Sequence, residues 1–215
     1  MSNVNRWRGV LLVLALALLC APPALAQGAR AIGTVGELVG RCLVTSHGET
    51  QARSLSVGAE VYEGDRIRTS AGARLRLELI DGSVVQLGEQ TDLVLDWFLH
   101  APDLGSQNVL LRVSAGIFRV IAELVLPRSA FQVQTATAVA SVRGTDWIAE
   151  ATAGATAIVA LDGRVAVRNL RPGIVGEVVL GAGEGTTVEA DDPPRAVSVW
   201  GEARRTSFID RTTVP

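Results

Sequence analysis

Lysine is missing from all 215 residues, so each of the 20 basic side chains is an arginine. That pattern reads as a codon signature of a GC-rich genome, not as a binding device. The basic groups face 22 acidic ones, for a formal net charge of −2. A chain with this balance has no field to steer it to nucleic acid or to an anionic lipid surface. Aromatic residues make up 4% of the chain, too few for a row of sugar-stacking platforms. Trp97, Trp147 and Trp200 are each expected as a core or rim plug. The two histidines, His47 and His100, lie in separate polar breaks, and there is no His-Glu-x-x-His motif and no close cysteine pair. A zinc site is therefore not expected. No Gly-x-Ser-x-Gly elbow offers a hydrolase nucleophile. The glycine-rich Gly181–Gly185 lacks a P-loop lysine and runs into the strand-like Thr186-Thr187-Val188-Glu189, so it is expected as a turn rather than a phosphate cradle. No cofactor is implied. Of the acid/base devices only paired carboxylates remain, with Asp65, Asp92, Asp96 and Asp146 as candidates.

The N-terminus is the most specific local feature. Arg6 and Arg8 precede an apolar run, Gly9–Cys20, which is followed by Ala21-Pro22-Pro23-Ala24-Leu25-Ala26. A basic start, a short apolar middle and an Ala-x-Ala exit are the parts of a secretory signal peptide. The run is shorter than the roughly 20 residues of a bilayer span. Cleavage is expected between Ala26 and Gln27. The two alternatives are an uncleaved anchor and lipidation at Cys20, where Leu19 stands in place of the small residue such a site wants. Cleavage removes Arg6 and Arg8, leaving 18 arginines against 22 acids and no stable membrane span. The expected destination is the periplasm or the medium of a bacterium, which excludes a cytoplasmic metabolic enzyme. Only Cys42 survives, so no internal disulfide can form and the fold must rest on its core. Cys42 is expected as a small buried hydrophobe, the sharper alternative being an intermolecular disulfide.

Beyond the signal, period two dominates. Ala73 to Leu79 alternates apolar and charged residues without a fault, the pattern of a half-buried strand. Asp81-Gly82 then precedes Val84-Val85-Gln86-Leu87, and Asp162-Gly163 stands between Thr156–Ala160 and Arg164–Val167. Both pairs predict hairpin turns, and their similar flanks raise a weak twofold repeat. Further strands are expected over Leu38–Thr45, Arg66–Thr69, Leu93–Phe98, Val109–Val113, Ile117–Ala122, Phe131–Thr135, Ala138–Val142 and Trp147–Ala151, with Ser114-Ala115-Gly116 as a break. The fold class is all-β: antiparallel hairpins forming two packed sheets, a sandwich or a solenoid-like stack of coils. The expected organisation is a signal peptide over 1–26, a β domain over 27–190 and a short C-terminal tail over 191–215. A helix near Val197–Ile209 is an option in that tail, with Trp200, Phe208 and Ile209 available to pack back.

One run, Ala138-Val139-Ala140-Ser141-Val142-Arg143-Gly144-Thr145-Asp146-Trp147, resembles the hallmark of the FecR domain. The remaining pieces follow in the family's order: Gly58–Thr69, the Ala73–Gly88 hairpin, Val113–Val120, Phe131–Thr135 and Val159–Val167. The resemblance spans about Gly33–Val188 and marks Val142, Arg143, Gly144 and Thr145 as the family motif. It implies an extracytoplasmic, all-β, non-enzymatic module that binds a protein partner in the cell envelope. Known members relay signals from an outer-membrane receptor to a cytoplasmic sigma factor across the inner membrane. This chain is expected to depart from that pattern, without a cytoplasmic N-terminal domain or a further C-terminal module, so the resemblance transfers the domain and not the pathway. The alternatives are a membrane-anchored FecR-type regulator and a carbohydrate-binding or carbohydrate-active envelope protein. From the residues themselves, Gly144 is expected in a conformation that other residues avoid or at a close backbone approach, and Arg143 is expected to pair with Asp146, the sharper alternative being that it anchors a partner's carboxylate.

Overall fold

The computed structural model describes residues 30–123 and 126–215. The segment 1–26 expected as a signal peptide, and the cleavage expected between Ala26 and Gln27, lie outside the described residues.

Among the described residues seventeen strands, numbered in chain order, form two sheets. Sheet A runs β4 (Glu60–Tyr62), β1 (Ala31–Val39), β6 (Arg74–Leu79), β7 (Val84–Leu87), β9 (Ser106–Ala122), β12 (Thr145–Ala151), β13 (Ala155–Asp162), β16 (Glu184–Glu189) and β17 (Ser198–Val199). Sheet B runs β3 (Arg53–Ser54), β2 (Cys42–Thr45), β5 (Arg66–Thr69), β8 (Asp92–Ala101), β9 again, β10 (Arg128–Gln134), β11 (Ala138–Val142), β14 (Val165–Asn169) and β15 (Glu177–Leu180). The inward faces of both sheets share one hydrophobic core. The expected all-β, two-sheet architecture is present, and the pairing is antiparallel throughout except between β9 and β10, which run parallel.

Strand β9 sits at the middle of both sheets because it folds back on itself. Residues up to Ala115 pair with β8, and residues from Gly116 pair with β12. The Gln107 Nε2 donates to the Glu123 carbonyl at 2.9 Å, although sixteen extended residues span roughly 50 Å. The break expected at Ser114–Gly116 is thus a corner between sheets. A Cβ on Gly116 would lie 2.3 Å from Thr91 Oγ1, so only glycine passes there.

The alternating segment Ala73–Leu79 behaves as expected. Leu75, Leu77 and Leu79 enter the core while Arg74, Arg76 and Glu78 face out. Asp81-Gly82 closes the β6–β7 hairpin, with Glu78 opposite Val84. The Asp162-Gly163 expectation needs correction. Strand β13 belongs to sheet A and β14 to sheet B, and the two do not pair. The turn is a crossover, not a hairpin, so the two Asp-Gly turns are not equivalent and carry no twofold repeat. The turn chemistry is the same in both cases; what differs is the sheet that each following strand joins.

Cys42 is buried in the core as a free thiol, and burial pushes its pKa up to about 11. Trp147 is fully buried edge-on to Phe118, with ring centroids 5.5 Å apart. The C-terminal segment packs on the domain. Strand β17 extends sheet A, and helix α1 (Glu202–Thr212) lies against β9 and β12. Trp200 and Phe208 there join Ile117, Ile148 and Val159 in a second apolar cluster on the outer face of sheet A. The helix begins later than the Val197 expected, because Ser198 and Val199 are taken by the β16 ladder. Among the described residues no helix is long and apolar enough to cross a membrane.

Candidate interaction site

The motif residues occupy a second crossover, directly beside Asp162-Gly163. Val142 ends β11 in sheet B with its side chain in the core, and Thr145 opens β12 in sheet A. Arg143 and Gly144 bridge the sheets. Gly144 has φ +59° with nothing near a would-be Cβ, so it is needed for backbone conformation alone. Gly163 has φ +77°, and a Cβ there would lie 2.6 Å from the Gly144 carbonyl oxygen. The two crossovers therefore stack backbone on backbone. The buried Thr145 hydroxyl fastens them, donating to the Arg164 carbonyl at 3.0 Å, with the Arg143 carbonyl also in reach at 3.3 Å.

Asp146 takes a different partner from the one expected. Its carboxylate accepts two hydrogen bonds from Arg119, Nε at 2.8 Å and Nη2 at 2.6 Å. Those bonds hold the Arg119 guanidinium above its ordinary pKa, against the opposing effect of burial. Strand β9 brings Arg119 beside β12, diagonal to Asp146, whereas Arg143 sits on the far side of the corner. Arg143 is exposed and has no carboxylate partner among the described residues.

The four candidate acid/base carboxylates are dispersed and engaged. Asp92 is paired with Arg66 and Asp96 with Arg112. Asp65 is fully buried in the β4–β5 turn and accepts the Tyr62 amide at 3.0 Å. Asp81 also serves the fold, accepting from the Ser83 amide and from Gln107 Nε2. His47 packs against Gly64, while His100 stands opposite Gln107 on β8. No group of three or more His, Cys, Asp or Glu among the described residues is placed to hold a metal ion. Trp97 corrects an expectation, since it is 54% exposed. A register shift between Leu95 and Trp97 turns it to the outer face of sheet B. Period-two reading does not foresee that bulge.

The residues around the motif turn thus tie two crossovers together on a two-sheet β scaffold through their own polar groups. Residues 65–166 match the FecR protein family, and the chain carries a FecR domain there. The match begins and ends inside the Gly33–Val188 span inferred from motifs. Two crystal structures share the fold, both of a protein from Parabacteroides distasonis ATCC 8503 described as a candidate anti-sigma factor. The 1.65 Å structure superposes with a TM-score of 0.55 at 17% identity, covering 67% of this chain and 64% of that one. The 2.50 Å structure gives 0.53 at 18% identity, covering 67% and 63%. The likeness therefore spans less than two thirds of those chains, and at such identity it concerns the fold. No curated protein matches the chain.

Proposed function

We propose that this chain is an extracytoplasmic FecR-type signalling module of the bacterial envelope, which acts by binding a protein partner and performs no chemistry itself. The observation that carries the reading is the FecR match over residues 65–166, whose motif turn engages its polar groups internally and leaves Arg143 free. A reaction needs groups left free to reach a substrate, whereas Asp92, Asp96 and Asp146 are paired with the chain's own arginines and Asp65 is buried. Fold alone does not define a partner, but the relatedness to FecR proteins favours a protein over a small molecule. The anchored form of this reading keeps the N-terminal segment and signals across the inner membrane; the free form loses it and acts in the periplasm or medium. A carbohydrate-binding reading draws on the exposed Trp97, although the neighbouring Asp92 and Asp96 are held in ion pairs.

The test is photo-crosslinking in living bacteria, with a benzophenone amino acid placed singly at exposed positions over the whole surface. Discrete adducts with one envelope protein are expected. Adducts at no position, or hydrolysis of a glycan by the purified protein, would overturn the reading. N-terminal sequencing of the fractionated protein separates the two forms. A start at Gln27 in a soluble extracytoplasmic fraction supports the free module, and an intact N-terminus in the inner membrane supports the anchored one.

A further inference from the structure

The two outer faces of the sandwich are not equivalent. Helix α1 and Trp200 cover sheet A over β9, β12 and β13. Helix α1 does not cover the outer face of sheet B over β10, β11, β14 and β15, where Val139 is nonetheless buried. The register of sheet B sets one outward residue from each of six adjacent strands in a line: Trp97 opposite Leu110, then Gln132, Ser141, Ala166 and Val179. At 4.8 Å per strand the line is about 24 Å long. None of the six is charged, and Trp97 and Val179 at its ends are 54% and 51% exposed. Leu99, also exposed, widens the apolar end.

Charge is distributed unevenly along the two sides of this line. On one side acids stand beside the arginines: Arg112 is paired with Asp96 at 2.8 Å, and Glu177 lies opposite Arg168 in the ladder, although the two form no ion pair and Arg168 donates to the Asn169 carbonyl. On the other side Arg143 and Arg164 border a recess of about 310 Å³ that is floored by Ala130, Gln132, Ser141 and Val179. Neither arginine has a carboxylate within ion-pair distance among the described residues, and nor does the nearby Arg128. In a chain with more acids than bases, three unbalanced arginines on one edge of an uncharged face are a local reversal of sign.

Resting on the reading of the chain as an interaction module, we propose that the outer face of sheet B is its docking surface and that it receives an acidic amphipathic segment of a protein partner. Apolar side chains of that segment lie along Trp97, Leu110 and Val179. Carboxylates on its flank meet Arg143 and Arg164, whose planar guanidinium groups donate paired N–H bonds to them. Tryptophan and arginine are the residues most enriched at energetic centres of interfaces. Three arginines fall short of the four to eight basic groups that read as a lipid-binding cluster, and one exposed tryptophan makes a short platform for a glycan. Charge complementarity therefore favours a protein segment.

The experiment uses the purified protein and a phage-displayed library of random peptides. Peptides that combine acidic and apolar residues should be enriched. The strongest, synthesised with a fluorophore, should bind less tightly as salt rises. The double change Arg143→Glu and Arg164→Glu should weaken it about tenfold or more, and Ala166→Glu in the middle of the line should do the same. Arg171→Glu, outside the face, should leave the affinity unchanged, and replacing the peptide's acids by lysine should restore binding to the double variant. Circular dichroism melts verify that each variant is folded. Enriched peptides that ignore these changes would overturn the docking surface. So would the absence of enrichment, or binding instead to phosphatidylglycerol vesicles or to peptidoglycan fragments. If cellular crosslinks form with an envelope protein but lie off this face, the proposed surface is wrong and the interaction-module reading stands. If no crosslinks form anywhere, that reading fails as well.

Discussion

Replacing Trp200 by alanine should release the C-terminal helix without unfolding the sandwich. Trp200 is almost fully buried, meets Phe208 edge-on at 5.3 Å, and lies 3.4 Å beneath the Arg204 guanidinium. Its ring rests on Gly185, where a Cβ would approach to 2.3 Å. Burying an aromatic side chain removes about 150–250 Å² from water, which at about 25 cal/mol per Å² gives an upper bound of about 4–6 kcal/mol. Measured truncations of buried aromatics cost about 3–5 kcal/mol. The helix has eleven residues, fewer than the roughly 12–15 an isolated helix needs in water, so undocking and unwinding coincide. A loss of about 4 kcal/mol raises the opening equilibrium about a thousandfold. The assay is amide hydrogen exchange read by mass spectrometry. Amides of Arg205–Thr212 should exchange about a thousandfold faster, or reach the unprotected limit. The β6–β7 hairpin should keep its protection. Protection of the helix within about tenfold of wild type would refute the reasoning. Uniform loss across the sandwich would show that the helix is not a separate cooperative unit.

Three further outcomes follow from the structure. Gly144→Ala should cost about 1–2 kcal/mol, the penalty of the left-handed conformation alone, whereas Gly163→Ala should cost clearly more, because its Cβ also meets the Gly144 carbonyl; equal urea midpoints for the two variants would contradict the stacked crossovers. Burial raises the Asp65 carboxyl above its ordinary value of 3.8, so the folded state keeps this proton to higher pH than the unfolded chain does. Stability contributed at this site therefore falls as pH rises from 3.8 upward, and Asp65→Asn should gain on wild type over that window in urea titrations; a pH-independent difference would be the wrong result. Cys42, with its thiol raised to about 11 inside the core, should resist iodoacetamide at pH about 8 in the folded protein and react after unfolding, and stoichiometric native labelling would count against its burial.

The sequence set the fold class and the character of most strands by itself. Fault-free alternation over Ala73–Leu79 can bury only one face, and its leucines do enter the core. Arg66–Thr69 and Ala138–Val142 form strands at the expected bounds. Strand β15 was not legible, since Glu177–Leu180 follows a Gly- and Pro-containing loop and is too short to display a period. Most of β1 was hidden by Gly33 and Gly36, which interrupt the alternation; Gly33 is required because a Cβ would meet the Glu78 carbonyl at 2.6 Å.

At the motif turn, Arg143, Gly144 and Thr145 could be picked out from their order in the chain, and Gly144 takes the left-handed conformation expected of it. Their partners could not. Whether Asp146 pairs with the arginine three residues back or with Arg119 on another strand depends on where the chain turns its corner, and period-two patterns are blind to corners. The same blindness explains Asp162-Gly163, whose local chemistry specifies a turn but not whether the next strand returns to its own sheet or crosses to the other. A turn is a matter of a few dihedral angles and is written locally, whereas sheet membership is fixed by which distant strand offers a free edge. The uncharged line from Trp97 to Val179 belongs to this second kind. It assembles single residues from six strands spread over more than eighty positions of the chain, and only the register of the folded ladder puts them side by side.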